Sequence, residues 1–407
     1  MTTQPLSKPL TLERGIEVKN RLFKSAMSEQ LGTTDHNPGP ELVKLYKAWA
    51  EGGIGISVTG NVMVDRTALG EPKNVVLDNE SDLSLFKNWA EAGTVNNTHL
   101  WMQLNHPGKQ SPAFLSKTPV APSAVSLGGA LKSAFNTPRA LEEAEIFEII
   151  DKFATSAELA KEAGFTGVQI HCAHGYLLSQ FLSPLHNQRD DDWGGDIENR
   201  MRMLVEVYRA IRKKVGNKFP IGLKMNSTDF KFGGFSVEES IQVALKMQEE
   251  GIDLIEVSGG TYESPNMTGY GAKLDDKEAY FIDYAESLKK DRTFPLVLTG
   301  GFRSATAMNA ALTSDVTDMI GLARPLAVET DFPTRLMASE ASSCTLKQPS
   351  TGIAVLDRMA MLDITWYEFQ LYRIGKGKKV NPNHNAWSAV MQTFWRMGGY
   401  AFKQRRA

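Results

Sequence analysis

Eight short apolar runs, mostly separated by helix-length amphipathic stretches, constrain the fold of this chain more than any other feature. They fall at residues 21–26 (RLFKSA), 54–59 (IGISVT), 99–104 (HLWMQL), 167–171 (GVQIH), 221–225 (IGLKM), 254–258 (LIEVS), 296–299 (LVLT) and 319–322 (MIGL). Helical patterns lie between most of them, at residues 40–51, 82–95, 142–163, 199–215, 236–250 and 277–290, with another opening at Ser304. Pro40 early and Gly52-Gly53 late mark one start and stop. Ser236 with Glu239 three residues on gives a capping box. No continuous antiparallel patch appears, so strand and helix alternate as they do in α/β folds.

A (β/α)8 TIM barrel fits this count, with a doubly wound open sheet as the alternative. The ends of many runs carry polar or glycine residues: Ser28, Gly60, Gln103, His171, Lys224, Gly259, Gly300 and Arg324. In a barrel those ends converge on one face, where active sites sit. No G-x-G-x-x-G follows the first run, so the dinucleotide fingerprint of the open-sheet alternative is missing there. Residues 105–139 break the rhythm, are rich in Gly, Pro and Ser, and read as a long loop excursion over one mouth. The barrel is expected to occupy residues 1–340. Residues 341–407 read as a helical extension, with patterns at 356–374 and 385–402, too rich in large apolar side chains to hang free. It is expected to pack on the barrel or on a partner subunit.

Composition narrows the class. With 407 residues, 42% hydrophobic and 23% charged, the chain suits a globular protein with a large core. A net charge of −2 implies no nucleic-acid partner, and the basic tail at Lys403, Arg405 and Arg406 reads as solvated surface. Two cysteines, Cys172 and Cys344, exclude a disulfide scaffold and a cluster needing about four thiolates. No run approaches the ~18 apolar residues of a membrane span, and the first residues lack a signal pattern, so a cytoplasmic enzyme is expected.

The densest chemistry lies in residues 168–195, VQIHCAHGYLLSQFLSPLHNQRDDDWGG, where His171, His174 and Tyr176 fall within six positions at a strand end. Three readings are open for the histidines: two metal ligands lacking an obvious third, satisfied structural side chains, or paired donors to one substrate oxygen. Tyr176, with a reference pKa near 10, would be a proton donor at neutral pH. Gly300-Gly301 and Arg324 form either a barrel phosphate grip or ordinary turn glycines and a surface arginine. Lys224, inside an apolar run, either stabilises an anion in the mouth or pairs with a buried acid such as Glu256. Gln103 either serves the edge of a heterocycle or satisfies a loop.

The stretch from His171 through Gly175, Tyr176 and Gln180 to Asn187, Arg189 and Gly194-Gly195 resembles the signature of the Old Yellow Enzyme family of NAD(P)H:flavin oxidoreductases. The resemblance continues at Gln103–Gly108 (QLNHPG), Glu198-Asn199-Arg200, Gly300–Arg303 (GGFR) and Ala323–Leu326 (ARPL), and runs over roughly residues 5–340. It implies non-covalent FMN at the C-terminal ends of the strands of a (β/α)8 barrel. Ser25, Ala26, Met27, Ser28 and Gly60 would line the flavin. Gln103 would bind its pyrimidine edge. Lys224 stands where relatives usually carry arginine near flavin N1, keeping the charge without the planar fork. Ser28 stands where relatives carry threonine or cysteine. Gly300, Gly301, Ala323 and Arg324 would hold the phosphate, with Ala323 in place of the usual glycine.

The resemblance further implies an ene-reductase. NADPH or NADH would reduce the flavin, and a small activated alkene (an α,β-unsaturated carbonyl or nitro compound) would take hydride. His171 and His174 would bind its oxygen and Tyr176 would protonate it. Two readings stand beside it: oxidative demethylation of an N-methyl amine on the same barrel, and a flavin-free barrel hydrolase or aldolase. No metal is expected, and a homo-oligomer is open.

Overall fold

The computed structural model describes residues 5–128, 132–261 and 278–398. Eight parallel strands close on themselves: β1 (Leu22–Lys24), β2 (Ile56–Val58), β3 (His99–Asn105), β4 (Gly167–Cys172), β5 (Ile221–Asn226), β6 (Leu254–Ser258), β7 (Leu296–Thr299) and β8 (Met319–Leu322). Each pairs with the next, and β8 pairs with β1. The outer ring includes α1 (Pro40–Glu51), α2 (Leu83–Gly93), α3 (Glu143–Glu162), the short α4 (Leu177–Leu182), α5 (Ile197–Val215), α6 (Val237–Glu250), α7 (Ile282–Leu288) and α8 (Ala305–Thr313). The expected (β/α)8 barrel is the fold. Ser236 and Glu239 form the capping box the sequence announces, and Asp82 caps α2 through the Ser84 N–H.

Several expectations are adjusted. The helix expected over residues 277–290 is only α7, because residues 278–281 form a bend and turn with Ala279 in the left-handed region at φ 55°; Lys277 lies outside the described residues. The excursion after β3 carries two short strands of its own, Val120–Ala121 beside Arg139–Ala140. The 356–374 pattern splits into α11 (Ala354–Met359) and α12 (Leu362–Gly375), after α9 (Arg324–Val328) and α10 (Phe332–Met337). Met361, in the left-handed region at φ 46°, makes that break. The final helix, α13 (Ala386–Gly398), is described only as far as residue 398, so the stretch to residue 402 and the basic tail lie outside. No described helix is long and apolar enough to cross a membrane.

Inward-facing residues decide what the barrel can hold. Its floor is apolar: Phe23, Ile56, Val58, Trp101, Leu254, Val297 and Met319 pack together. A hairpin of Leu10–Thr11 against Glu17–Val18 closes it, adding Leu12 and Val18. Trp101 fits because its neighbours are glycines; a Cβ on Gly167 or Gly222 would lie 2.6 or 2.8 Å from the indole. Two residues further along the strands, at the next inward position, the interior turns polar, with Ser25, Gln103, Gln169, Lys224, Glu256 and Thr299, all but Thr299 buried. That polar layer separates the floor from the mouth.

The C-terminal extension folds back on the barrel. Lys376 at the end of α12 pairs with Glu41 of α1. Trp366 donates to the His384 carbonyl at 3.0 Å, and Tyr367 to that of Lys347 at 2.6 Å.

Candidate active site

Period-two alternation places every second residue of each strand inside the barrel, and β5 and β6 pair in register with Lys224 opposite Glu256. The result is a chain of hydrogen bonds across the polar layer. Gln103 Nε2 donates to Gln169 Oε1 at 2.8 Å, and Gln169 Nε2 donates to Glu256 Oε2 at 2.8 Å. Glu256 Oε1 also accepts from Thr299 at 2.9 Å and lies 3.0 Å from Lys224 Nζ. Thr299 and Ser25 hydroxyls meet at 2.9 Å. The structure therefore realises the pairing of Lys224 with Glu256. Gln169 and Thr299 were missed as members because each reads as an ordinary strand residue; their inward parity was the available signal.

Above this layer, the end of β4 delivers the histidines and the tyrosine. The His171 ring centroid lies 5.3 Å from that of His174 and 4.8 Å from that of Tyr176, both edge-on. His174 takes a left-handed backbone, φ 60°, which turns its ring back over the barrel end, and its N–H donates to Asn226 Oδ1. Its Nε2 lies 2.9 Å from Ser258 Oγ. Burial, followed by the nearby charge of Lys224, holds both imidazoles well below the usual histidine range, so both are neutral at pH 7. His171 Nδ1 accepts from the Ala173 N–H at 3.3 Å, which leaves the proton on Nε2. A neutral ring with one committed acceptor is a fixed single donor. Asn105, at the end of β3, is buried and its amide has no hydrogen-bond partner among the described residues. Sequence reasoning missed it, although it follows Gln103 by two and shares its inward parity.

The other expected residues fall around the rim. Ser25 lies in the polar layer, with Ala26, Met27 and Ser28 half-buried above it. The Gly60 N–H is already engaged, by Tyr46 Oη at 2.9 Å and Glu29 Oε1 at 3.2 Å, so Gly60 offers close approach rather than a donor. Gly300 and Gly301 have φ 146° and 79°. Tyr280 packs on this turn, where a Cβ on Gly301 would lie 2.6 Å from its ring. The Glu278 carboxylate accepts from the Arg303 and Ser304 N–H groups at 2.7 and 3.0 Å, so an anion already satisfies the start of α8. Arg324 opens α9 and acts electrostatically on Asp363 and Tyr367 of α12.

The rest of the 168–195 stretch shapes the loops. Gln180 Nε2 donates to the carbonyls of Gly175 at 2.7 Å and Pro107 at 3.2 Å. Asn187 holds the carbonyls of Phe181 and Trp193, and Arg189 those of Pro122 and Leu141. A separate open hollow of about 500 Å³, lined by Arg209, Arg212, Lys213 and Glu250, lies at the opposite barrel end, away from this chemistry.

A parallel barrel with a polar shelf below two neutral histidines and a tyrosine, with glycines after β7 and an arginine after β8, has room at its mouth for a planar, polar cofactor. The donor set on the shelf, amide and ammonium, fits the polar edge of a flavin. The chain belongs to the NADH:flavin oxidoreductase / NADH oxidase family, whose profile matches residues 5–342. It is therefore a flavin-dependent NAD(P)H oxidoreductase. It is 37% identical over 371 residues to the NADH-dependent flavin oxidoreductase iliE of Hypocrea jecorina, covering 84% of this chain and 92% of that protein. It is 36% identical to iccE of Talaromyces variabilis, covering 81% and 85%. Among solved structures, a 2-naphthoyl-CoA reductase complex superposes with a TM-score of 0.77 at 27% identity; the match covers 84% of this chain and 53% of that longer one. An old yellow enzyme homologue from Zymomonas mobilis superposes at 0.71 with 25% identity, covering 84% and 94%.

Proposed function

We propose that the chain is an FMN-dependent ene-reductase, with residues 1–340 forming the flavin barrel and 341–407 its extension. Its reductant is NADH or NADPH, and its second substrate a small α,β-unsaturated carbonyl or nitro compound. The observation that carries this reading is the convergence of His171, His174 and Tyr176 at the end of β4, above the Gln103–Lys224 shelf. FMN, when bound, supplies the hydride chemistry. Gln103 and Lys224 would hold the polar edge of its ring, Ser25, Ala26, Met27, Ser28 and Gly60 would line it, and Gly300, Gly301, Ala323 and Arg324 would hold its phosphate.

The chain's own residues then act on the acceptor. His171 and His174, both neutral, donate to its oxygen and stabilise the charge that develops there without carrying a charge of their own into the ground state. Tyr176, buried beside His171, delivers a proton from Oη to the carbon next to the activating group. The names of the fungal relatives support NADH as the first reductant to try.

Purified protein should be yellow and release FMN on denaturation; protein that stays colourless after reconstitution would refute the reading. In rapid-mixing kinetics, Tyr176→Phe should slow reoxidation by an enone by about 100-fold or more while sparing reduction by NADH. Equal slowing of both half-reactions would remove Tyr176 as the acid.

A further inference from the structure

Ser28 sits where two carboxyl groups from distant parts of the chain meet. Its Oγ lies 2.7 Å from both oxygens of Glu71, in the loop after β2, and 2.8 Å from Oε1 of Glu368, on α12. Gln30, held in the left-handed region at φ 49°, turns its amide to donate to both oxygens of Glu368 at 3.1 Å. A serine hydroxyl has one proton to give and two lone pairs to offer. With both acids ionised, the hydroxyl could serve only one, and the other carboxylate would face a lone pair at hydrogen-bond distance. One proton on either acid removes the conflict, since that acid then donates to Ser28 while Ser28 donates to its neighbour.

We propose that Glu368, carried by the C-terminal extension, is a positioning residue of the flavin mouth: with Glu71 it shares one proton across Ser28 and so fixes the hydroxyl that faces the cofactor. This rests on the placement of Ser28 against the flavin given above. The packing of the same helix supports it, because α12 also lies against α9, whose first residue Arg324 acts electrostatically on Asp363 and Tyr367. One helix thus bears on both ends of the proposed flavin seat. Electrostatics agree with the inventory: burial, then repulsion from Glu368, pushes Glu71 up to about 8. Other charged groups nearby include Glu29, which adds repulsion, Lys24 paired to Glu29 at 3.5 Å, and Lys73 on the Glu71 loop. Below its transition the pair carries one negative charge, and above it two. A flavin edge at Ser28 would become harder to reduce as the second charge appears.

Glutamine at 368 should stand in for the protonated acid, donating its amide to Ser28 and leaving Glu71 ionised. The test uses infrared difference spectra of the full chain between about pH 6 and about pH 10, with and without FMN, alongside the flavin midpoint potential over the same range. In the wild type, a protonated-carboxyl band should vanish across the transition, and the potential should break downward there. In Glu368→Gln both features should be lost, while the potential near neutrality stays close to wild type. An infrared transition in Glu368→Gln within ~0.3 pH unit of wild type would overturn the proposal, as would wild-type protein with no protonated band. Should the chain bind no FMN, the potential arm removes the flavin reading, and the infrared arm still decides the shared proton.

Discussion

Two buried lysines stand on opposite faces of the same barrel wall, and the contrast between them separates scaffold from site. Lys24, the last residue of β1, points outward against α1. Its ammonium donates to the Val58 carbonyl at 2.7 Å and Tyr46 Oη at 3.0 Å, with Glu29 at 3.5 Å, and it lies 4.3 Å from the Trp49 ring centroid. Lys224 points inward and meets Glu256, which is also held by Gln169 and Thr299. The outer ammonium is closed in by wall and helix, so nothing could replace its partners without unpacking α1. The inner one shares its acceptor with a ladder, so a ligand could draw it away while Glu256 keeps two donors. Burial of a cation is common to both, and only the second arrangement leaves room for chemistry.

The sharpest way to break this contrast is Glu256→Ala. It strips the inner cation, Gln169 and Thr299 of one acceptor at once, and should cost about 3–5 kcal/mol of stability in urea unfolding. A loss below that for Glu29→Ala, whose lysine keeps a carbonyl and two aromatic faces, would reverse the ranking. Lys24→Met should cost less, about 1–3 kcal/mol, because Glu29 retains the Tyr46 hydroxyl and the Gly60 N–H. The outer lysine also has a pH signature. Burial lowers it from 10.5 to about 8, more than Glu29 restores. Between those values the unfolded chain holds a proton that the fold has released, so stability should rise with pH across that window. The rise should be smaller in Lys24→Met by a margin visible in paired unfolding curves.

His171 and His174 sharpen the inner side. Because the fold refuses their protons, stability should fall as pH drops below about 6.5, where the unfolded chain takes them up. Proton-coupled NMR should find both rings neutral in the native state at pH 6; a charged ring there would contradict the donor assignment. The smallest effect is expected from Lys224→Arg, which keeps the charge. It should change stability by under about 1 kcal/mol and FMN affinity by less than about tenfold, read by equilibrium dialysis.

Much of this contrast could be read from the chain alone. Lys224 and Glu256 were legible as partners because each sits centrally in an apolar run and consecutive barrel strands lie side by side. His171, His174 and Tyr176 were legible because they crowd one strand end. The eight strands stood out since every one is a compact apolar run, and α6 because its capping box is local. What escaped notice depends on distance. The floor hairpin has strands of two residues, too short to show a period. Ser28 and Glu368 are 340 positions apart, and no local pattern brings them together. Asn105 reads as a loop residue because the apolar run stops at Leu104, one residue before the strand does. Its role emerges only when β3 is seen to carry its inward parity one step further.

The pairing of β8 with β1 bears on how the molecule is made. Leu22–Lys24 leaves the ribosome before every other strand of the barrel, yet one of its two neighbours, Met319–Leu322, is synthesised nearly three hundred residues later. Through most of translation that first strand has an unmet edge, and the ring cannot close. Completion of the cup therefore waits on the C-terminal third of the chain, and Glu368 arrives later still. A nascent chain stalled before residue 319 should have most of the wall and no closed interior, and so no seat for the flavin.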